Sequence, residues 1–336
     1  MKQDIYDLLN DIEIDLSELK REDFAEIEEK RMMKKFRRGV LKKKSYKKYV
    51  GTAAVLIISI GILGSIPTFA TTNIVAYSIA DLLGIEKNLE NYATVINKAI
   101  TKGNITIQLN EVILNGKELT VSTTITSKEP FKTTHANAHA SAAIYVNGKQ
   151  VAWAAGGSAE QVDEYTVKQV MNYQLEDVYT GELDMTIIFS GMRVDYAKQR
   201  GLWKFEFTTS GEELAGQTKS QEINQVYTLP NKTQLTLIRY EANDMGEKMY
   251  FTSSKAGADY DLELRGTDNL GNPIVFTFSN QKGTNGVLKL NDHFSVKDEN
   301  ASSYTLELYA VKFPEESGRL SNDFEKIGEA FSIILE

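Results

Sequence analysis

The chain has 336 residues, a net charge of −8 and no cysteine. That length exceeds one ordinary core and points to two or three folded units, and 42% hydrophobic with 10% aromatic residues excludes a disordered chain. Without cysteine there are no disulfides, no thiolate chemistry, no cysteine-held zinc or iron–sulfur cluster and no lipoprotein anchor.

The net charge hides three blocks. Residues 1–29 carry eleven acids against three bases, residues 30–48 carry eleven bases and no acid, and residues 50–336 carry 24 bases and 35 acids. Segregation this sharp marks a change of surroundings along the chain.

In the first block Ile5, Leu8, Leu9 and Ile12 recur at i, i+3, i+4 and i+7, which predicts an amphipathic helix. Leu16 and Leu19 extend its stripe. A second helix is predicted from about Glu22 to Lys44, weakened only at Gly39, with Phe24 and Ile27 on one face and Met33, Phe36 and Val40 on another. A head of 49 residues has little room for a core of its own. Its apolar faces either pack on each other as a hairpin or bury against a protein partner, in the manner of amphipathic helices in grooves. The acidic polar side implies a partner with a basic surface.

No charge occurs between Lys48 and Asp81. Within that gap Val50–Phe69 is almost wholly apolar, and twenty residues at about 1.5 Å each cross the roughly 30 Å hydrocarbon layer of a bilayer. Pro67 suits the far end of such a helix, and Tyr46, Tyr49 and Phe69 suit its two interfaces. A buried soluble helix would show a polar face, and none exists here. Thr68-Phe69-Ala70 loosely resembles a signal-cleavage site, but the 49 residues ahead of the apolar run are far longer than a signal's basic region, which favours an uncleaved anchor. All eleven bases of the second block precede the helix, with Lys42, Lys43, Lys44, Lys47 and Lys48 flanking it directly. The positive-inside rule therefore puts the N-terminus in the cytoplasm and the rest outside the cell. The same bases suit anionic lipid headgroups, and the adjoining membrane segment accounts for them without direct nucleic-acid binding.

After a stalk at 71–93 the period changes to two. Strands are predicted at Thr94–Thr101, Asn104–Leu114, Lys117–Thr126, Ala143–Val146, Val151–Ala155, Tyr165–Leu175, Leu183–Arg193 and Leu202–Thr208. Asn115-Gly116 and Asn147-Gly148 read as hairpin turns, and Gly156-Gly157-Ser158 as a further turn. A second series follows at Gln234–Glu241, Lys248–Ser253, Asp261–Asp268, Ile274–Ser279, Tyr304–Phe313 and Ala330–Leu335. The two series resemble each other in order: residues 105–124 have a counterpart at 233–254, 184–196 at 303–315, and 203–209 at 330–336. The predicted fold is mainly β: a short α-helical cytoplasmic head (1–49), one transmembrane helix (50–70), the stalk, and two tandem immunoglobulin-like β-sandwich domains (94–215 and 221–336) joined by a linker at Gly211–Gln225.

No catalytic constellation is visible, so no enzymatic activity and no cofactor is expected. His135 and His139 have helical metal-site spacing, but Ala136 follows the first, and no third ligand is evident with His293 remote. Asp259, Asp261 and the loop 268–272 offer oxygens, yet in no calcium-loop spacing, and read as polar turns. There is no nucleophile elbow, P-loop or dinucleotide fingerprint. Asn104, Asn231 and Asn300 head N-x-[ST] triplets, which carry meaning only in a glycosylating host.

The wording of Ile5–Asp15, Asp23–Val40, Gly64–Ala70 and Glu90–Leu119 resembles the membrane-bound anti-sigma regulators of Gram-positive bacteria that pair with extracytoplasmic-function sigma factors. More narrowly, it is similar to the subset whose ectodomain is a conserved domain of unknown function. The resemblance implies a head that holds a sigma factor inactive and an ectodomain that senses an extracellular signal or envelope component; the apolar faces read from the spacing, Ile5, Leu8, Leu9, Ile12, Phe24, Ile27, Met33 and Phe36, are then the expected contact with the sigma factor. Release would follow either a conformational change or proteolysis near Pro67–Asn73. The chain departs from the zinc-dependent heads of that group, which use a His-x3-Cys-x2-Cys pattern absent here. Two other functions fit the layout: a membrane-anchored envelope-binding or structural protein, and a membrane-anchored hydrolase whose motif is not visible.

Overall fold

The computed structural model describes residues 74–132, 138–194, 197–316 and 320–335. The head, its apolar faces, the basic flank, the membrane segment and His135 lie outside the described residues. Among the described residues no helix is long and apolar enough to cross a membrane. What is described is mainly β and lies within one compact unit, Gly64–Glu336.

The chain enters through an extended stretch, 74–78, and a single-turn helix α1 (Ile79–Leu83). Ser78 caps it by accepting the Asp81 N–H, and Gly84 ends it with φ 68°, a left-handed conformation that costs glycine little.

The first lobe has strands β1 (Ala93–Lys102), β2 (Ile105–Ser127), β3 (His139–Val146), β4 (Lys149–Gln150), β5 (Ala152–Asp163), β6 (Thr166–Tyr179), β7 (Glu182–Val194) and β8 (Ala197–Ser210). They make two antiparallel sheets, β1-β2-β6-β5 and β4-β3-β7-β8. Strand bonding runs through the whole of β2, yet the chain doubles back at Asn115-Gly116. The side chain of Asn110 bonds Ser122 and Thr124, twelve and fourteen residues on, which an uninterrupted strand would hold about 40 Å or more away. One arm of β2 pairs with β1 and the other with β6. Ile107, Leu109, Val121, Ile125 and Tyr173 of one sheet meet Ile144, Ile187, Phe189, Trp203 and Phe205 of the other in a common core. Alternate residues supply it because successive strand side chains point to opposite faces.

Helix α2 (Glu212–Gln217) leads to the second lobe: β9 (Lys219–Thr228), β10 (Gln234–Asn243), β11 (Gly246–Ser253), β12 (Tyr260–Asp268), β13 (Pro273–Lys282), β14 (Asn285–Leu290), β15 (Ser303–Lys312) and β16 (Glu325–Ile334). These form one antiparallel sheet in the order β9-β10-β11-β14-β13-β12-β15-β16. It curls until its outer strands meet. The Ile334 N–H donates to Gln221 Oε1 (3.1 Å), and the Tyr227 hydroxyl donates to the Glu329 carbonyl (3.1 Å).

The faint sequence repeat has a structural counterpart. Counting the arms of β2 separately, the first lobe orders its strands as the second does: β1, two arms of β2, β6 and β5 correspond to β9, β10, β11, β14 and β13, and β3-β7-β8 to β12-β15-β16. The lobes differ at one junction. β12 pairs with β13 and joins the two halves, whereas β3 has no such bond to β5. There the buried Gln169 side chain bonds both the N–H and the C=O of Ala140 (2.8 Å each), and the Tyr173 hydroxyl accepts from Ala142 N–H (3.0 Å). Two side chains of β6 thus stand in for the strand-to-strand bonds that β12 and β13 make. Burial pushes the Tyr173 phenol up to about 12.

Several expectations need correction. The immunoglobulin-like expectation fits layered β packing but not the strand order, since three consecutive strands are neighbours here, whereas the immunoglobulin constant order is ABED and CFG. Gly156-Gly157 is no turn but lies inside β5, where a Cβ on Gly157 would fall 2.1 Å from the Val170 carbonyl. The linker at 211–225 is folded: it holds α2, with Leu214 buried, and most of β9. Strand β14 was not predicted at all. Of the Asn-Gly turns, Asn147-Gly148 has both residues at positive φ, while at Asn115-Gly116 only Gly116 does.

Candidate functional site

The inward face of β2 is apolar, and its outward face carries an uncommon row of small polar side chains. Gln108 and Asn110 on the first arm, and Thr120, Ser122 and Thr124 on the second, are all buried. Buried polar groups are costly unless bonded, so this row must have partners. Its upper part is covered by residues 74–78, which lie across it as a strap. Thr124 Oγ1 donates to the Val75 carbonyl (2.9 Å), Ser122 Oγ to the Tyr77 carbonyl, and Asn110 Nδ2 to the same carbonyl at 3.4 Å. Lys168 stands 5.5 Å over the Tyr77 ring. The carbonyls of alternate strap residues face the sheet, so side chains hold an extended main chain that no neighbouring strand pairs.

The strap ends on Ile79, which is fully buried, and whose N–H donates to the Glu111 carboxylate. Burial raises the Glu111 carboxyl above its ordinary range, against the lowering effect of that bond. Around Ile79 lie Leu89, Ile113 and Leu214, with Ala80, Ile85, Tyr92 and Met245 at the margin. This small cluster is separate from the two lobe cores. Met245 reaches it from the second lobe, at the turn between β10 and β11.

The lower part of the β2 row meets the second lobe. Glu118 is buried and takes Lys248 of β11 on one oxygen (2.8 Å) and Lys289 of β14 on the other (2.7 Å). Gln174 donates to Glu118 (3.0 Å) and to Asn172 (2.8 Å), and Asn172 donates to Thr120 (3.2 Å). Burial alone would raise the Glu118 carboxyl. The two ammonium charges and their hydrogen bonds outweigh it and hold the group down to about 2. Nearby, Lys282 of β13 pairs with Glu176 and stands 5.2 Å over the Trp153 ring. Asp244 takes Lys87 (2.7 Å) and the Tyr92 hydroxyl (2.8 Å), and Asn243 donates to Asn115 (3.1 Å). Lysines of the second lobe thus face glutamates of the first, and one arm of β2 contacts the strap at Ser122 and the second lobe at Glu118.

None of this site was singled out in the sequence. The residues predicted to bind a partner and the flanking lysines lie outside the described residues. His139 is exposed at the start of β3, and the His293 ring lies 5.1 Å from Phe294. Among the described residues no group of three or more metal-ligating side chains comes together. The Asp268 carboxylate accepts from the Leu270 and Asn272 N–H groups and from the Asn272 side chain, each at 2.8 Å, so it closes its own turn. Asp259 pairs with Lys255 (2.6 Å) and Asn231 (2.9 Å).

No curated protein matches the chain. Among solved structures, a conserved domain protein from Bacillus anthracis has a similar fold, with a TM-score of 0.55 and 13% identity over 75% of this chain and 94% of that one. The model of a family described as a domain of unknown function, DUF4179, matches residues 41–127, a span that takes in the strap, α1, β1 and the whole of β2 with Asn110, Glu118, Ser122 and Thr124.

Proposed function

We propose that this protein is a single-pass transmembrane anti-sigma factor, with its helical head in the cytoplasm and its two β lobes outside the cell. The head sequesters a sigma factor by laying Ile5, Leu8, Leu9 and Ile12, with Phe24, Ile27, Met33 and Phe36, on sigma-factor surface needed for RNA polymerase. The ectodomain receives the extracellular signal. The observation that supports this reading best is the strap. The residues that follow the apolar segment are not a loose tether but are bonded to the face of β2. A tether would isolate the membrane from the lobes, while a bonded strap passes their state toward it.

Fully burying one Leu or Ile side chain is worth about 1.5–3 kcal/mol, so four on one stripe can dominate a helix-in-groove contact after ordering costs. The test is Leu8→Asp with Leu9→Asp in the full-length protein. Sigma-dependent genes become constitutively expressed while the variant stays in the membrane, and a fragment of residues 1–49 captures the sigma factor from solution. Unchanged transcription together with no capture refutes the reading in favour of an envelope protein. A reporter fused after Lys48 is active only in the cytoplasm and one fused after Asn91 only outside; the reverse refutes the topology.

A further inference from the structure

We infer that residues 74–79 form a latch whose closed state depends on the placement of the second lobe against the first. The role of the latch rests on the transmembrane reading above, and the coupling rests on contacts alone. The strap is held at few points: the Val75 and Tyr77 carbonyls, the Tyr77 ring beneath Lys168, the Ile79 N–H, and the Ile79 side chain. Val75 itself is 61% exposed. A segment with so few bonds belongs to the part of a fold that opens most readily.

Its anchoring residue belongs to the cluster that both lobes reach. Ile79 sits in a cluster with Ile113 and Leu214, and Met245 of the second lobe packs at its margin. The two residues before Met245 bind the first lobe and the segment after α1, Asn243 through Asn115 and Asp244 through Lys87 and Tyr92. Below, Lys248 and Lys289 of the second lobe grip Glu118, four residues along β2 from the strap's partner Ser122. Displacing the second lobe withdraws Met245 from the Ile79 cluster and loosens the arm that carries Ser122 and Thr124. The strap then lifts and becomes an extended, uncharged main chain with unpaired carbonyls, the form in which proteases take a substrate. Closed, the same bonds shield it.

Because the chain has no cysteine, one introduced thiol reports this opening. Ser122→Cys changes a single atom at a position with 0% exposure beneath the strap. In the detergent-solubilised full-length protein a bulky maleimide labels it slowly. Adding Lys248→Met and Lys289→Met, which touch only the lobe contact, speeds labelling by about tenfold or more, and the milder surface change Asp244→Asn by about two- to threefold. Ala140→Cys, in the core of the first lobe, stays slow in both backgrounds and separates opening of the latch from unfolding of the lobe. Faster labelling at Ser122→Cys alone, in either background, supports the latch. A rate unchanged in both, or a rise that Ala140→Cys matches in both, overturns it. No sigma factor enters the assay, so its outcome is independent of capture by residues 1–49.

Discussion

Glu118 and Lys248 belong to different lobes, yet their charged ends lie 2.8 Å apart with both side chains nearly sealed from water. Lys289 joins the group, so one carboxylate is shared by two ammonium ions. Removing one member of a buried ion group leaves the others uncompensated, at a cost of about 3–5 kcal/mol. Glu118→Gln keeps the shape and removes the charge. It destabilises the ectodomain by about 3 kcal/mol in urea titration and steepens the salt dependence of unfolding, because the remaining Lys282–Glu176 and Lys87–Asp244 pairs are exposed and screened. Two separate unfolding transitions replace one if this group is the main coupling between the lobes.

Acid acts on the same residue. The Glu118 carboxyl has a folded value of about 2 against an ordinary 4.5. A depressed carboxyl contributes stability that is present above its unfolded value and disappears as pH falls through its folded value. The contribution, about 3 kcal/mol, is therefore intact above pH 4.5 and is lost between pH 4.5 and 2. Thermal unfolding followed across that window shows the loss in the wild type and its absence in Glu118→Gln. Parallel curves for the two proteins would contradict the assignment.

The bonding of β3 by side chains in place of strand pairing gives a third expectation. Gln169→Leu leaves the N–H and C=O of Ala140 buried without partners. Each orphaned group costs about 1–3 kcal/mol, which predicts a loss of about 2–6 kcal/mol, read as a lower urea midpoint at unchanged slope. A loss well under 1 kcal/mol would mean that water or β5 takes over the bonds.

How far the sequence carried depends on which contacts were local. Alternation alone located most strands to within a few residues, because each strand's core face is written at every second position. Asn147-Gly148 was legible for a similar reason, since two adjacent residues suffice to favour positive φ. Strand β14 was missed because Asn285–Leu290 is only six residues long, too short for alternation to stand out. β5 was cut short at Gly156-Gly157, both of them strand residues, and at Gly157 the close approach of β6 leaves no room for a side chain. The strap and the Glu118 group were illegible because their partners lie about 30 to 170 residues apart along the chain. One signal was present and unread: a solvent-facing strand surface ordinarily carries Lys and Glu, whereas β2 presents Gln108, Asn110, Thr120, Ser122 and Thr124, short uncharged groups that suit contact with a backbone.

The second lobe is closed by its final strand. Residues 325–334 pair with β15 along one side, and on the other reach β9 through Gln221 and Tyr227, with Gly328 at φ 67° making room beneath the tyrosine ring. Loss of that strand would bare two edges at once, β15 and β9, each ten residues long. Open edges of that length recruit strands from other molecules. A stop codon a dozen residues early would therefore do more than shorten the protein, because it would turn a self-capped lobe into a template for aggregation.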